Sequence, residues 1–192
     1  MTSFEFVFGL ISVITSLALT QLLSGIVALY RCGDRVRLSW RHGFWTAQAF
    51  MLLIGNWSAL WGLRDIQAWG VLDVLIPLVY TSVLYAFCDL VMPDKPAEGA
   101  VVDLREYHMR EGRRYKTLNL IFAVVVIGAL VHSAASIRVW VDQSMFAIVA
   151  AVNSVIALRA RSVWLDTATA AFFAVLAAVF MVSRLVVLAT AG

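Results

Sequence analysis

Charge is what this sequence has little of. Of its 192 residues, 14% are Asp, Glu, Lys or Arg and 62% are hydrophobic, and the mean hydropathy is +0.87. A soluble domain carries about 25% charged and about 45–50% apolar residues. A soluble fold of this length would expose apolar surface that it has no means to cover, so the composition predicts a chain whose solvent is the bilayer.

Other scarcities narrow the chemistry. Two cysteines, Cys32 and Cys88, are too few for a disulfide framework. The topology derived below puts both near the cytoplasmic face, where thiols stay reduced. His42 and His108 fall on the cytoplasmic side and His132 on the outer side, too far apart to share a metal ion or to ligate a haem as a pair. No predicted span holds a lysine, which excludes a retinal-type Schiff base. There is no P-loop, no H-E-x-x-H, and no run of arginines within a span such as a voltage sensor needs. No cofactor, metal site or catalytic residue is therefore expected. The net charge of +3 is explained by topology and gives no reason to invoke nucleic acid. The N-terminus lacks the basic start of a signal peptide and its first apolar run is too long for one, so that run is predicted to stay as a span.

What the chain has instead is six apolar segments, at about 4–30, 43–63, 71–92, 117–136, 139–158 and 163–188, each close to the roughly 20 residues that cross a hydrocarbon core. Arg31, Arg35, Arg37 and Arg41 follow the first segment. Lys95, Arg105, Arg110, Arg113, Arg114 and Lys116 follow the third, and Arg159 and Arg161 the fifth. Only Arg64, Arg138 and Arg184 remain for the other side. By the positive-inside rule the first group is cytoplasmic and both termini face outward. Trp40, Trp45 and Trp164 mark the inner interface on this reading, and Trp61, Trp69 and Trp140 the outer. The expected fold is all-α: a single six-span transmembrane bundle over 1–192. Its one sizeable loop, 93–116, should carry a short interfacial helix capped by Asp103 with Glu106 three residues on.

Within the spans a few polar groups recur. Ser12, Ser16, Thr20 and Ser24 repeat every fourth position in SVITSLALTQLLSG, so they stack on one flank of a helix with Gln21 beside them. Such a stripe is either a packing seam, matched by Ala170, Ala174 and Ala178 of the last span, or the wall of a solvated path. Gln21 and Asn56, expected near the midplane, keep the path open as a reading. Gln48, Asp89 and Asn153 form an inner polar group, and Glu5, His132 and Arg184 an outer ionisable one that would titrate near neutrality if it converged.

The segments SLALTQLLSGIVAL, DRVRLSW, WSALWGLRD, VLYAFCDLVMPD and DLREYHMREGRRYK, spread over roughly residues 4–120, resemble a family of small polytopic membrane proteins common in alphaproteobacteria, for which no activity is assigned. The resemblance implies a bacterial inner membrane and the six-span layout, and it supplies no functional residue. Three functions compete. The first is a small oligomeric channel or permeation pathway for ions or small solutes. The second is a non-enzymatic accessory or assembly subunit that meets a second copy or a partner membrane protein. The third is a membrane enzyme acting on lipid at the cytoplasmic interface through Asp89, Asp103, Glu106 and His108. They differ in where the polar groups must meet: around a common cavity or axis, away from a dry centre, or beside a lipid-sized cleft.

Overall fold

The computed structural model describes residues 3–65, 69–94, 101–133 and 136–190. It is all-helical apart from one two-residue pairing. The helices are α1 (Ser3–Cys32), α2 (Trp40–Leu60), α3 (Val71–Val91), α4 (Leu104–Ser133), α5 (Ile137–Arg159) and α6 (Val163–Thr190). Four stretches are long and apolar enough to cross a membrane: Phe4–Arg35, Val71–Val91, Leu104–Val131 and Val163–Val186. The chain has the build of a membrane protein. The apolar part of α5, Gln143–Arg159, is shorter, and α2 carries Arg41, His42, Gln48, Asn56 and Ser58 on its buried face.

Local chemistry sets the helix starts. Asp103 Oδ1 accepts from the N–H groups of Arg105 (2.9 Å) and Glu106 (3.1 Å), so the expected cap of α4 is present. Those two N–H groups and nearby Arg37 hold the Asp103 carboxyl below the usual carboxylate range, the bond from Glu106 being the largest cause. Ser136 Oγ accepts from Val139 N at 3.4 Å and Ser162 Oγ from Leu165 N at 3.1 Å, at the starts of α5 and α6. Asp73 reaches back to the Gly70 N–H at 2.8 Å before α3. The interfacial helix expected after Asp103 is not separate. It continues without a break into the fourth apolar segment, and Lys116 lies within the resulting 30-residue helix rather than in a loop.

Strands β1 (Val36–Arg37) and β2 (Val102–Asp103) pair in parallel, Val36 with Val102 and Arg37 with Asp103, and an Arg37–Asp103 ion pair (3.7 Å) lies across them. They hold the segment after α1 against the start of α4.

The core centres on Trp45 of α2, which is fully buried rather than marking an interface. Its ring lies 5.1 Å from Phe173 of α6, 5.4 Å from Tyr115 of α4 and 6.2 Å from Phe87 of α3. A second cluster joins Val7, Ile11 and Leu60 at the opposite end, with Phe8 and Trp69 against it. The principal packing partner of α6 is α2, and that of α1 is α3. Ala170 and Ala174 are therefore buried in the α6 packing, and the expected seam between α6 and α1 is replaced by one between α6 and α2. Gly55 permits that approach, because a Cβ there would lie 2.8 Å from the Phe180 ring and 3.2 Å from Met181 Cα.

Candidate functional site

Four ionisable side chains from three helices meet at the end of the bundle where α2, α4 and α6 begin. Asp166 lies in the first turn of α6, where the free N–H groups of a helix start favour a carboxylate. Its Oδ2 accepts from Arg41 Nη1 of α2 at 3.1 Å and from His108 Nε2 of α4 at 2.7 Å. Its Oδ1 accepts from Lys116 Nζ of α4 at 2.5 Å. The Tyr115 hydroxyl is hydrogen-bonded to His108 Nδ1, so phenol, imidazole and carboxylate form one bonded series. The side chains of Arg41, Lys116, His108 and Asp166 are all about nine-tenths buried or more. Two cations face one carboxylate, so the group retains an excess positive charge out of water.

The spacing on α4 makes this possible. His108, Gly112, Tyr115 and Asn119 are separated by 4, 3 and 4 residues and so share one stripe. Gly112 lies beside the pair: a Cβ there would meet Tyr115 Oη at 3.5 Å and His108 Cε1 at 3.6 Å, ordinary van der Waals contacts. On α2, His42, Trp45 and Gln48 rise along the facing stripe. One turn further in, Gln48 Nε2 donates to Asn119 Oδ1 (2.9 Å) and Asn119 Nδ2 to Ser154 Oγ of α5 (3.0 Å). Asn153 Nδ2 of α5 donates to the Thr169 carbonyl of α6 (3.1 Å).

Among the described residues, several buried polar atoms around this line have no hydrogen-bond partner. They are both ring nitrogens of His42, Trp45 Nε1 and Gln48 Oε1, then Asn56 Nδ2, Ser144 Oγ and Arg184 Nε farther along α2, α5 and α6, with Thr81 Oγ1 on α3 a further one. Buried polar groups in proteins are almost always bonded, so these exceptions mark places that internal water or a transient ligand would satisfy. From Asp166 to Arg184, eighteen residues of α6 rise about 27 Å, close to the roughly 30 Å of a hydrocarbon core. Polar groups therefore recur at several levels of the α2/α4/α5/α6 part of the bundle, a column whose bonded part is Gln48, Asn119 and Ser154.

The residues singled out from sequence are distributed differently. Ser16 and Thr20 are exposed, and their hydroxyls bond back to Ser12 O (2.7 Å) and Ser16 O (2.8 Å) of their own helix. Ser12 Oγ accepts from Trp57 Nε1 at 3.3 Å. Gln21 donates to Asp89 Oδ1 at 3.0 Å, and both line an open groove of about 270 Å³ between α1 and α3 that also includes Ser24 and Asp94. Gln21 thus bonds a residue in the last turn of α3. The inner polar group divides: Gln48 and Asn153 belong to the column, while Asp89 is on the α1/α3 side. Asn56 is buried on α2.

At the far end, Glu5 is exposed and the Arg184 guanidinium lies 5.3 Å from the centre of the Phe180 ring. The His132 side chain is outside the described residues. The lipid-enzyme set is not assembled around His108, whose carboxylate partner is Asp166, while Asp103 caps α4. Among the described residues, no three or more His, Cys, Asp or Glu side chains are grouped to hold a metal.

Sequence reasoning missed Asp166, Arg41, Lys116, Tyr115, Asn119 and Ser154 as site residues. Two signals were available: a carboxylate three residues into the last apolar run, and the 4-3-4 stripe on α4. Compared with known proteins, the chain matches no family model, no curated protein and no solved structure.

Proposed function

We propose that this chain is a six-span protein of a bacterial inner membrane that lets small ions or solutes cross, by a path inside the α2/α4/α5/α6 bundle. The observation that carries the reading is the line of buried polar groups from the Asp166 cluster to Arg184, several of them without protein partners. Intramembrane polar groups are costly, and they recur along the routes that ions and protons take.

Two contacts support the six spans. If α3 crosses, the pairing of Val36 with Val102 keeps residues 36 and 102 on one side, so the intervening chain crosses an even number of times and α2 crosses too. If α4 crosses, the His108–Asp166 bond joins the starts of α4 and α6, and α5 returns the chain. The arginine distribution then puts the Asp166 end in the cytoplasm and both termini outside. The resemblance to the alphaproteobacterial family fits the same layout.

The test is flux through purified protein in liposomes. Wild-type protein should pass a small ion. A folded Gln48→Leu variant should do so at an altered rate, while Gln21→Leu, which touches only the α1/α3 groove, should leave flux unchanged. Wild-type protein that passes nothing would sink the reading. The accessory-subunit alternative would then stand, and one observation favours it: the exposed hydroxyl flank of Ser16 and Thr20, open to a second copy or a partner membrane protein.

A further inference from the structure

We propose that the outward face of α4 beside the ionic cluster holds an anionic phospholipid. Its phosphodiester meets Arg110, Arg113 and Arg114, and an acyl chain lies along Thr117, Ile121 and Val124. The proposal needs α4 to cross the membrane and does not depend on the permeation reading.

Depth comes from the cluster. Asp166 bonds both His108 and Lys116, so residues 108 to 116 of α4 lie beside the first turn of α6. That turn also carries Trp164, which is 78% exposed. Arg41, the third partner of Asp166, directly follows Trp40, which is 83% exposed. An exposed indole at the end of a membrane helix settles at the level of the lipid headgroups. The two indoles therefore put the cluster at that level. Arg110, Arg113 and Arg114 fall between His108 and Lys116 in the same helix and share it.

The arginines are arranged before any ligand arrives. His108 and Tyr115 are buried toward the bundle, while the three arginines are exposed on the other side of α4. Glu111 accepts from Arg110 Nε at 3.2 Å and from Arg114 Nη1 at 2.9 Å. The Arg110 guanidinium also lies 5.8 Å from the centre of the Tyr107 ring. Both side chains are thus oriented, yet 68% and 71% of their surface stays open. Arg113 adds a third guanidinium, so three cations against one carboxylate leave two positive charges. Arg105 and Glu106, one turn farther out, offset each other. Guanidinium N–H groups pair with phosphate oxygens in forked geometry, which suits a phosphodiester.

The surface below fits the rest of the lipid. Arg110, Arg114, Thr117, Ile121 and Val124 follow one another at steps of 4, 3, 4 and 3 and so form one stripe. Ile121 and Val124 are 41% and 55% exposed, and the Thr117 hydroxyl is occupied by the Arg113 carbonyl at 2.8 Å. From Arg114 to Val124 the helix rises about 15 Å, which is half of the roughly 30 Å hydrocarbon core and so the depth of one leaflet. The charge selects the headgroup. A lipid carrying its own ammonium brings a like charge to a face already two charges positive; a glycerol headgroup does not.

The experiment uses full-length protein lacking Cys32 and Cys88, with a bimane fluorophore on a cysteine at Thr117, in phosphatidylcholine vesicles. Quenching by chain-nitroxide phosphatidylglycerol is compared with quenching by chain-nitroxide phosphatidylcholine, which gives the local preference between the two lipids. At residue 117 phosphatidylglycerol should be favoured by about fivefold or more, and added salt should reduce that preference. Arg110→Gln, Arg113→Gln and Arg114→Gln together should bring it near unity. A fluorophore at Val152 of α5, exposed near the same end below Arg159, should show little preference. Excess inorganic phosphate at constant ionic strength should not displace the lipid.

Equal quenching by the two lipids at residue 117, or a preference indifferent to salt, would overturn the proposal, and neither reading needs the triple variant to fold. A preference that survives in the folded triple variant, or that is as large at Val152, would assign it to the general charge of this end and overturn the α4 site. Displacement by inorganic phosphate would make the ligand a soluble anion and overturn the lipid.

Discussion

Lys116 Nζ and Asp166 Oδ1 lie 2.5 Å apart, fifty residues apart in the chain, and both side chains are about nine-tenths buried. The carboxylate also holds Arg41. Removing it strands two cations in the bundle, and breaking a buried pair from one side costs about 3–5 kcal/mol. Asp166→Ala should therefore lower the thermal unfolding midpoint in detergent sharply. Replacing Arg41 and Lys116 by Met in the same protein should recover most of the loss, since the stranded charges go with them. A single Asp166→Ala variant as stable as wild type would mean that the cluster is not assembled as described.

Gly55 supplies a test of the α2/α6 seam. A Leu there drives bulk into the Phe180 ring and the Met181 backbone, and overpacking of this kind costs about 1–3 kcal/mol. Phe180→Ala in the Gly55→Leu background should restore part of the stability, a coupling that independent sites would not show. Additive losses would place the two residues out of contact.

The hydroxyl flank of α1 should tolerate change in the isolated protein. Ser16 and Thr20 are exposed and bonded to their own helix, so Ser16→Leu and Thr20→Leu should each alter stability in detergent by no more than about 0.5 kcal/mol. A loss of several times that, with no change in oligomeric size, would require a helix of the same chain against this flank.

Asp103 gives the pH dependence that can be assigned a sign. Its carboxyl is held below the usual range by the N–H groups of Glu106 and Arg105 and by Arg37. The contribution of the cap is therefore complete above about pH 4 and is lost as pH falls through the lowered value. Hydrogen exchange at the first turn of α4 should be protected near neutrality and open in acid, whereas in Asp103→Ala it should be open at every pH. Protection in the variant equal to that of wild type would show that the cap has no role.

Orientation can be read with an impermeant thiol reagent in a background lacking Cys32 and Cys88. A cysteine at Ser3 should label in intact cells and one at Arg37 only after lysis. The reverse pattern would turn the bundle over, and labelling of both from one side would mean that α1 does not cross.

The apolar segments were legible because hydropathy is a local property: all six correspond to helices, and the Asp103 cap followed from a local spacing. The cluster was not legible, because its bonds join residues 125, 58 and 50 positions apart. Arg41 and Lys116 fit the positive-inside pattern, and that sufficient local explanation hid their second role. Gln21 was read from its position along α1 alone, and its partner, Asp89 near the end of α3, lies 68 positions away. Trp45 resembled a boundary marker by position, yet three aromatic rings from other helices surround it.

The Arg41–Asp166 contact also sets a schedule. Arg41 leaves the ribosome 125 residues before the carboxylate that neutralises it, an interval of roughly 6–25 s at about 5–20 residues per second. During that time the Arg41 guanidinium has no Asp166 to pair with, and burying it would leave an uncompensated charge. The arrival of α6 brings the carboxylate to both cations at once, so α6 is the helix that lets α2 take its final seat. A chain halted before α6 would leave Arg41 and Lys116 without the carboxylate that holds them both.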